Sequence, residues 1–243
     1  MGCRLTWFGH STVLVELGGV RVLTDPVLRR RVAHLVRERA VPAGELRGVD
    51  AVLVSHLHYD HLDLPSLESL GRGTRVVVPR RGGGTLLRGR GFRFVTEVEP
   101  GDDLPVGAAH VRVVRAEHEG RRRPLGPEGP AVGYVVTAGI AVWFPGDTDL
   151  FPEMEAIEAD VALVPVSGWG PKVGPGHLDP RRAAEAVALV RPRVAVPIHW
   201  GTYRVIGRRS DGDTPALAFA EAAAELAPDV DVRILPVGGS VEL

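Results

Sequence analysis

Cysteine is almost missing from this chain: Cys3 is the one example in 243 residues. No intrachain disulfide can form, and no multi-cysteine zinc site can be built. Aromatic residues make up only 5%, so aliphatic side chains must fill the core that an apolar fraction of 44% is large enough to make. No run of about 18 uninterrupted apolar residues occurs, which argues against a transmembrane helix. An excess of either charge is lacking too. With 29 basic and 30 acidic residues the net charge is −1, whereas a protein built to grip nucleic acid shows a basic excess. The start runs straight into Arg4-Leu5-Thr6-Trp7-Phe8 with no basic-then-apolar signal pattern. A soluble, cytoplasmic protein is the expectation.

What is present is a series of short apolar runs punctuated by glycine, proline and charge. Residues 4–8, 12–17 and 20–23 read as strands, with Gly18-Gly19 as the hairpin turn between the last two. Residues 28–40 read as a helix carrying Val32, Leu35 and Val36 on one face. Residues 50–55 form an apolar run of strand length, and Asp63 caps a short helix through Leu70 that Gly71 stops. Strands follow at 75–79, 92–98, 110–116, 133–137 and 140–144, the last two joined at Ala138-Gly139. The stretches 80–91 and 120–130 read as surface loops. The remainder alternates: helix 152–158, strand 160–166, helix 180–190, strand 193–198, helix 215–226, strand 232–236. This alternation predicts a layered α/β protein, and the lack of repeats or a linker predicts one domain over residues 1–243.

His56, His58, Asp60 and His61 fall within six residues, directly after the apolar run 50–55. An imidazole offers a neutral nitrogen and a carboxylate a hard anionic oxygen, a donor set that suits zinc, iron or manganese. If the chain continues extended, His56 and His58 point the same way and can hold one metal. Asp60 and His61, on the next turn of chain, can reach a second. His118, Asp147 and His199 each sit where a strand gives way to a loop, so all three can converge at one edge of a sheet sandwich. Five of the nine histidines would then be ligands.

The order His-x-His-x-Asp-His, then His, then Gly-Asp-Thr, then His resembles the metallo-β-lactamase superfamily. That resemblance implies an α/β fold, a four-layer αββα sandwich with a di-metal site at one edge. By it, His56, His58 and His118 hold the first metal, Asp60, His61 and His199 the second, and Asp147 bridges them. Asp25, in Leu23-Thr24-Asp25-Pro26, would fix a ligating imidazole by hydrogen bonding. A narrower resemblance runs from Trp7 to about Tyr203. It is carried by Trp7-Phe8-Gly9-His10-Ser11-Thr12, His58-Tyr59-Asp60-His61-Leu62-Asp63, His177-Leu178-Asp179-Pro180 and Ile198-His199-Trp200-Gly201-Thr202. These segments look like the N-acyl-phosphatidylethanolamine phospholipase D and bacterial ascorbate-phosphate lactonase groups. Glu117-His118-Glu119-Gly120 departs from the aromatic pattern of the former, so fold and metals carry over and lipid specificity does not.

The expected activity is hydrolysis by a hydroxide bound to two divalent metal ions. Zinc is the expected metal, with manganese and iron compatible. The expected substrate is a phosphodiester, lipid or small molecule, or a phosphorylated lactone. Asp60 would orient the nucleophile, and His177 would contact substrate or pass a proton to the leaving group, with helix capping as its plainer role. His10 supports a ligand or shapes a turn. Tyr59, Trp169 and Trp200 line the cleft or fill gaps in the core. His34 and His110 are structural or exposed. Arg29-Arg30-Arg31 and Arg121-Arg122-Arg123 suit an anionic substrate, although such runs also serve as solvated faces. Two alternatives stand beside this reading: a nuclease acting on RNA or DNA, against which the balanced charge argues, and a non-catalytic metal-binding protein, against which the full ligand set argues. No stable nucleic acid partner is expected.

Overall fold

In the computed structural model, which describes residues 2–40, 46–122, 126–167 and 174–243, side-chain alternation sorts the early strands between two cores. From β1 (Cys3–Gly9), Cys3, Leu5 and Trp7 enter one cluster and Phe8 another, as the two-residue period of a strand requires. The same division governs β2 (Thr12–Leu17) and β3 (Val20–Thr24), joined at Gly18-Gly19. Both glycines have positive φ, 59° and 78°, the backbone that a two-residue hairpin turn demands.

The chain continues through β4 (Arg31–Val32), β5 (Leu35–Arg37), β6 (Ala51–Leu53), α1 (Leu64–Leu70), β7 (Arg75–Pro79), α2 (Gly83–Gly89) and β8 (Val95–Val98). Next come β9 (Asp103–Val106), β10 (Ala109–Arg115), β11 (Val132–Thr137), β12 (Ala141–Phe144), a 3-10 turn at Pro152–Ala156, β13 (Val161–Pro165) and α3 (Pro180–Val190). The last elements are β14 (Val194–Ile198), β15 (Tyr203–Val205), α4 (Thr214–Leu226), β16 (Asp231–Val232) and β17 (Ser240–Glu242). Two seven-stranded sheets result, ordered β17-β1-β2-β3-β6-β7-β8 and β16-β14-β13-β12-β11-β10-β9, with a small third sheet β15-β5-β4. In each large sheet one side is antiparallel and the other parallel: β3, β6, β7 and β8 in the first, β12, β13, β14 and β16 in the second.

The sheets pack face to face over Leu5, Trp7, Val13, Val15, Val111, Val113 and Tyr134, and the Tyr134 hydroxyl crosses the sandwich to donate to the Val54 carbonyl at 2.7 Å. Leu64 and Leu67 of α1 and Leu87 of α2 cover the outer face of the first sheet. Ala183, Ala184 and Val187 of α3 and Phe219 of α4 cover that of the second. This is the expected αββα sandwich. Helix α3 starts where Asp179 accepts from the Arg182 amide (2.9 Å) with Pro180 in its first turn, a cap worth about 1 kcal/mol. Asp63 caps α1 in the same way, accepting from the Ser66 amide at 3.1 Å.

Not every expectation holds. Residues 28–40 form no helix; they supply β4 and β5, because β5 pairs with the distant β15 through Tyr203↔Arg37 and Val205↔Leu35. Arg37 is buried there, donating to the carbonyls of Phe8 (2.9 Å) and Val27 (2.6 Å), contacts that no local periodicity reveals. The stretch 80–91 contains α2 rather than only a loop. Its glycines allow the close approach: a Cβ on Gly83 would meet Val78 at 2.5 Å and one on Gly84 would meet Glu97 at 2.2 Å. Strands β9, β15 and β17 had no sequence counterpart, and the strand expected at 232–236 is only β16. Among the described residues no helix is long and apolar enough to cross a membrane.

Cys3 lies in the inter-sheet core with no exposure, and burial, helped by Glu242, pushes its thiol up to about 11. The thiolate is the reactive form. Thiol-reactive dyes at pH 8 should therefore modify the native protein about a hundredfold or more slowly than the urea-unfolded chain. Equal rates in a stopped assay would show that the inter-sheet core is not closed over Cys3.

Candidate metal centre

The residues of interest sit at the ends of strands that point to one edge of the sandwich. Asp25 follows β3 and His56 to His61 follow β6, both from the parallel half of the first sheet. His118 follows β10, Asp147 follows β12 and His199 follows β14, all from the second. Gly146 turns the chain into Asp147 with φ 65°, and a Cβ there would strike the Ser55 side chain at 2.3 Å. Glycine is needed for both reasons.

The geometry draws together every ligand expected from the sequence. His56 Nε2 lies 2.9 Å from His58 Nδ1, which lies 3.2 Å from His118 Nε2. Asp147 Oδ2 is 3.1 Å from His61 Nε2 and 3.9 Å from His56 Nε2, while its Oδ1 is 3.3 Å from His199 Nε2. Asp60 Oδ2 is 3.9 Å from His61 Nε2. His177 joins them, with Nε2 3.5 Å from Asp147 Oδ2 and its ring edge-on to His118 at 4.7 Å between centroids. His10, weighed above as a turn or support residue, belongs to the cluster as well: its Nε2 is 3.4 Å from Asp60 Oδ2 and its ring 4.0 Å from that of His199. His10 ends an apolar strand just as His56, His118 and His199 do, and that shared context is the signal that could have placed it. Three of these residues that are not glycine have positive φ, His10 (54°), Asp25 (29°) and His199 (65°), backbone strain of the kind that gathers at working sites.

Supporting bonds hold the rings. Asp25 accepts from the Ser55 amide (2.7 Å) and the Ser55 hydroxyl (2.5 Å), and its Oδ2 lies 2.7 Å from His61 Nδ1. His118 Nδ1 is 2.7 Å from the Gly176 carbonyl, so that nitrogen donates and Nε2 keeps its lone pair for the cluster. Arg122 is buried, donating to the carbonyls of Leu57 and Leu62 (2.8 Å each) and lying 3.8 Å above the Tyr59 ring. Arg29 pairs with Asp63 at 2.5 Å. These two arginines brace the His58–His61 turn from either end and are not free to meet an anion. Arg30, Arg31 and Arg121 are exposed, and Arg123 and Trp169 lie outside the described residues. Trp200 packs on Trp7 at 4.8 Å, whereas His34 and His110 are exposed.

The electrostatics favour a cation. Burial lowers His56 well below the usual imidazole range and His118 to about 4, reinforced for His56 by the neighbouring rings; burial lowers His58 and His10 too, the latter to about 3. For Asp60 and Asp147 burial works toward protonation, yet the surrounding histidines hold both well below the carboxylate range. Neutral imidazoles around anionic carboxylates are the protonation states that metal ligands adopt. His61 is the exception. Burial opposes its charge, but Asp147 and Asp25 drive it well above the ordinary range, and a cation against Nε2 would take that proton's place. Both His61 Nε2 and Asp147 Oδ1 are buried without a hydrogen bond, although His61 Nε2 lies 3.1 Å from Asp147 Oδ2 and Asp147 Oδ1 lies 3.3 Å from His199 Nε2. The residues fit a metal.

Two cavities adjoin the cluster. One, of about 170 Å³, has His10, His199, Arg208 and Arg209 in its wall. The other, of about 160 Å³, is lined by Val32, Leu35, Tyr59 and the His58 and Asp60 segment.

Comparison with known proteins agrees with this geometry. Residues 20–200 match the family described as the beta-lactamase superfamily domain. A UPF0173 metal-dependent hydrolase of Methanopyrus kandleri is 33% identical, covering 98% of this chain and 99% of that one. Another, from Nitratidesulfovibrio vulgaris, is 31% identical over 100% of this chain and 96% of its own. A solved metallo hydrolase from Ignicoccus hospitalis superposes with a TM-score of 0.74 at 26% identity, covering 100% of this chain and 99% of that one. A histidine and aspartate cluster at the strand ends of such a sandwich, with relatives of this length on either side of it, identifies the chain as a metal-dependent hydrolase of the beta-lactamase superfamily.

Proposed function

We propose that this chain hydrolyses a phosphodiester of a small molecule or lipid, or a phosphorylated lactone, at a centre of two divalent cations, with zinc as the expected metal and manganese or iron compatible. The observation that carries the reading is the position of Asp147, whose two oxygens approach His61 and His56 on one side and His199 on the other. If two ions bind, His56, His58 and His118 would hold one and Asp60, His61 and His199 the other, with Asp147 shared between the two sets. Two divalent ions held there would supply an activated water near neutral pH and electrostatic stabilisation for charge that develops on the attacked oxygen.

The chain's own groups supply the remainder. Asp60 lies between His10 and His61, where its carboxylate can accept a hydrogen bond from the nucleophile and fix its approach. His177, with a side chain 22% exposed beside the buried Asp147, stands at the mouth of the cluster, where it can reach a leaving group with a proton. Asp25 and the Gly176 carbonyl hold Nδ1 of His61 and His118, so both rings keep their orientation through a turnover. The phospholipase D and lactonase likenesses support an ester of phosphoric or carboxylic acid as the scissile group.

Chelation should abolish hydrolysis of bis-p-nitrophenyl phosphate or a simple lactone, and added zinc or manganese should restore it. His58→Ala should bind less metal by elemental analysis and lose activity with it. Turnover that survives either treatment would overturn the reading. His177→Ala should lower kcat about a hundredfold or more while bound metal stays at the wild-type level, and most for substrates with poor leaving groups. A parallel loss of metal would make His177 a ligand instead. Asp25→Asn should weaken metal affinity about 10- to 100-fold, as loss of a partner to a ligating imidazole does, and a competition titration with a chromogenic chelator reads this directly.

A further inference from the structure

The segment after His199 leaves both large sheets. It forms β15 against β5 and then runs through Arg208, Arg209 and Asp211 to the start of α4. Between this segment and the histidine cluster lies the cavity of about 170 Å³, so one partly open recess has His10 and His199 in its wall together with Arg204, Arg208 and Arg209. Arg204, the first of these, is engaged with Glu38 at 3.4 Å. Arg208 and Arg209 form no ion pair with a carboxylate among the described residues. Asp211, the one carboxylate in the wall, is no exception. Arginines elsewhere near the centre are satisfied differently: Arg29 by Asp63, Arg182 by Asp149, Arg122 by two carbonyls.

Two adjacent like charges in the wall of one recess repel each other, and the recess focuses their field. An oxyanion in the cavity relieves that repulsion, and the planar fork of each guanidinium suits its paired oxygens. We propose that Arg208 and Arg209 form a subsite for an anionic group of the substrate, a phosphate or a carboxylate, distinct from the bond that is cleaved; the proposal rests on the hydrolytic reading of the adjoining centre. The substrate class becomes narrower: an ester or lactone that carries a separate negative charge. Neutral esters with the same scissile bond leave this recess unfilled. The arginines are exposed at their outer side, so the interaction weakens as salt screens it.

The test is calorimetric titration of the metal-loaded full chain with inorganic phosphate and, separately, with acetate, at low ionic strength. The double variant Arg208→Ala/Arg209→Ala should bind phosphate about tenfold or more weakly, a loss of about 1.4 kcal/mol or more, at unchanged metal content. Arg208→Lys/Arg209→Lys should recover most of that loss, because the charge remains when the fork is gone. A parallel loss of acetate affinity marks a site open to carboxylates, and a loss for phosphate alone marks a phosphate site; both support the subsite. Phosphate affinity in the alanine variant within about twofold of wild type overturns it. If the loaded chain turns over no ester while phosphate binding still depends on the two arginines, the hydrolytic reading fails and the anion subsite stands.

Discussion

The Asp25 carboxylate is the contact on which the site depends. It is fully buried, and a carboxylate in that position is tolerated only when its oxygens are well supplied with donors. Ser55 supplies an amide and a hydroxyl, and His61 supplies Nδ1. One residue thereby ties the end of β3 to the end of β6 and sets the tautomer of the imidazole at the middle of the cluster. With Nδ1 committed, only Nε2 of His61 is left to face Asp147. The hydroxyl of Ser55 extends the support to His56, whose Nδ1 lies 2.9 Å away.

The wider architecture follows the same logic. A parallel strand must be re-entered by a crossover, and its carboxyl end opens onto a loop. Both sheets present such ends at the same edge, so donor atoms from residues as far apart as Asp25 and His199 meet without distorting either core. The Val132 amide donates to the Ser55 carbonyl at 2.9 Å and the Tyr134 hydroxyl to that of Val54, so the two sheets are stapled directly beneath the cluster. The strain at His10, Asp25 and His199 is held by this frame, since each is buried and hydrogen-bonded through its own or its neighbour's backbone.

Where the sequence was legible, the cause was local. Four ligand-type residues after an apolar run, Gly18-Gly19 between alternating strands, and Asp179-Pro180 ahead of a helix each carry their own physics within a few positions. The failures were non-local. Val32, Leu35 and Val36 have a spacing that a helix would also show, and only pairing with Tyr203–Val205 makes strands of them. Helix α2 was hidden because glycine reads as loop, although Gly83 and Gly84 are there to let a helix lie against β7 and β8. The pairing of Arg29 and Arg122 was illegible for a related reason: charge is visible in a sequence, but the carbonyls and the carboxylate that absorb these two side chains are not. His10 stands at a strand end as the other histidines do, but it has no ligand-type neighbour in the sequence to mark it.

The small sheet β15-β5-β4 stands apart from the seven-stranded pair. It contributes wall to both recesses beside the cluster, Val205 to one and Val32 and Leu35 to the other, and none of its residues is among the expected ligands. Such a separation makes the fold modular: segments that wall the recesses can be exchanged by an engineer without touching the strand ends that carry the histidine and aspartate cluster.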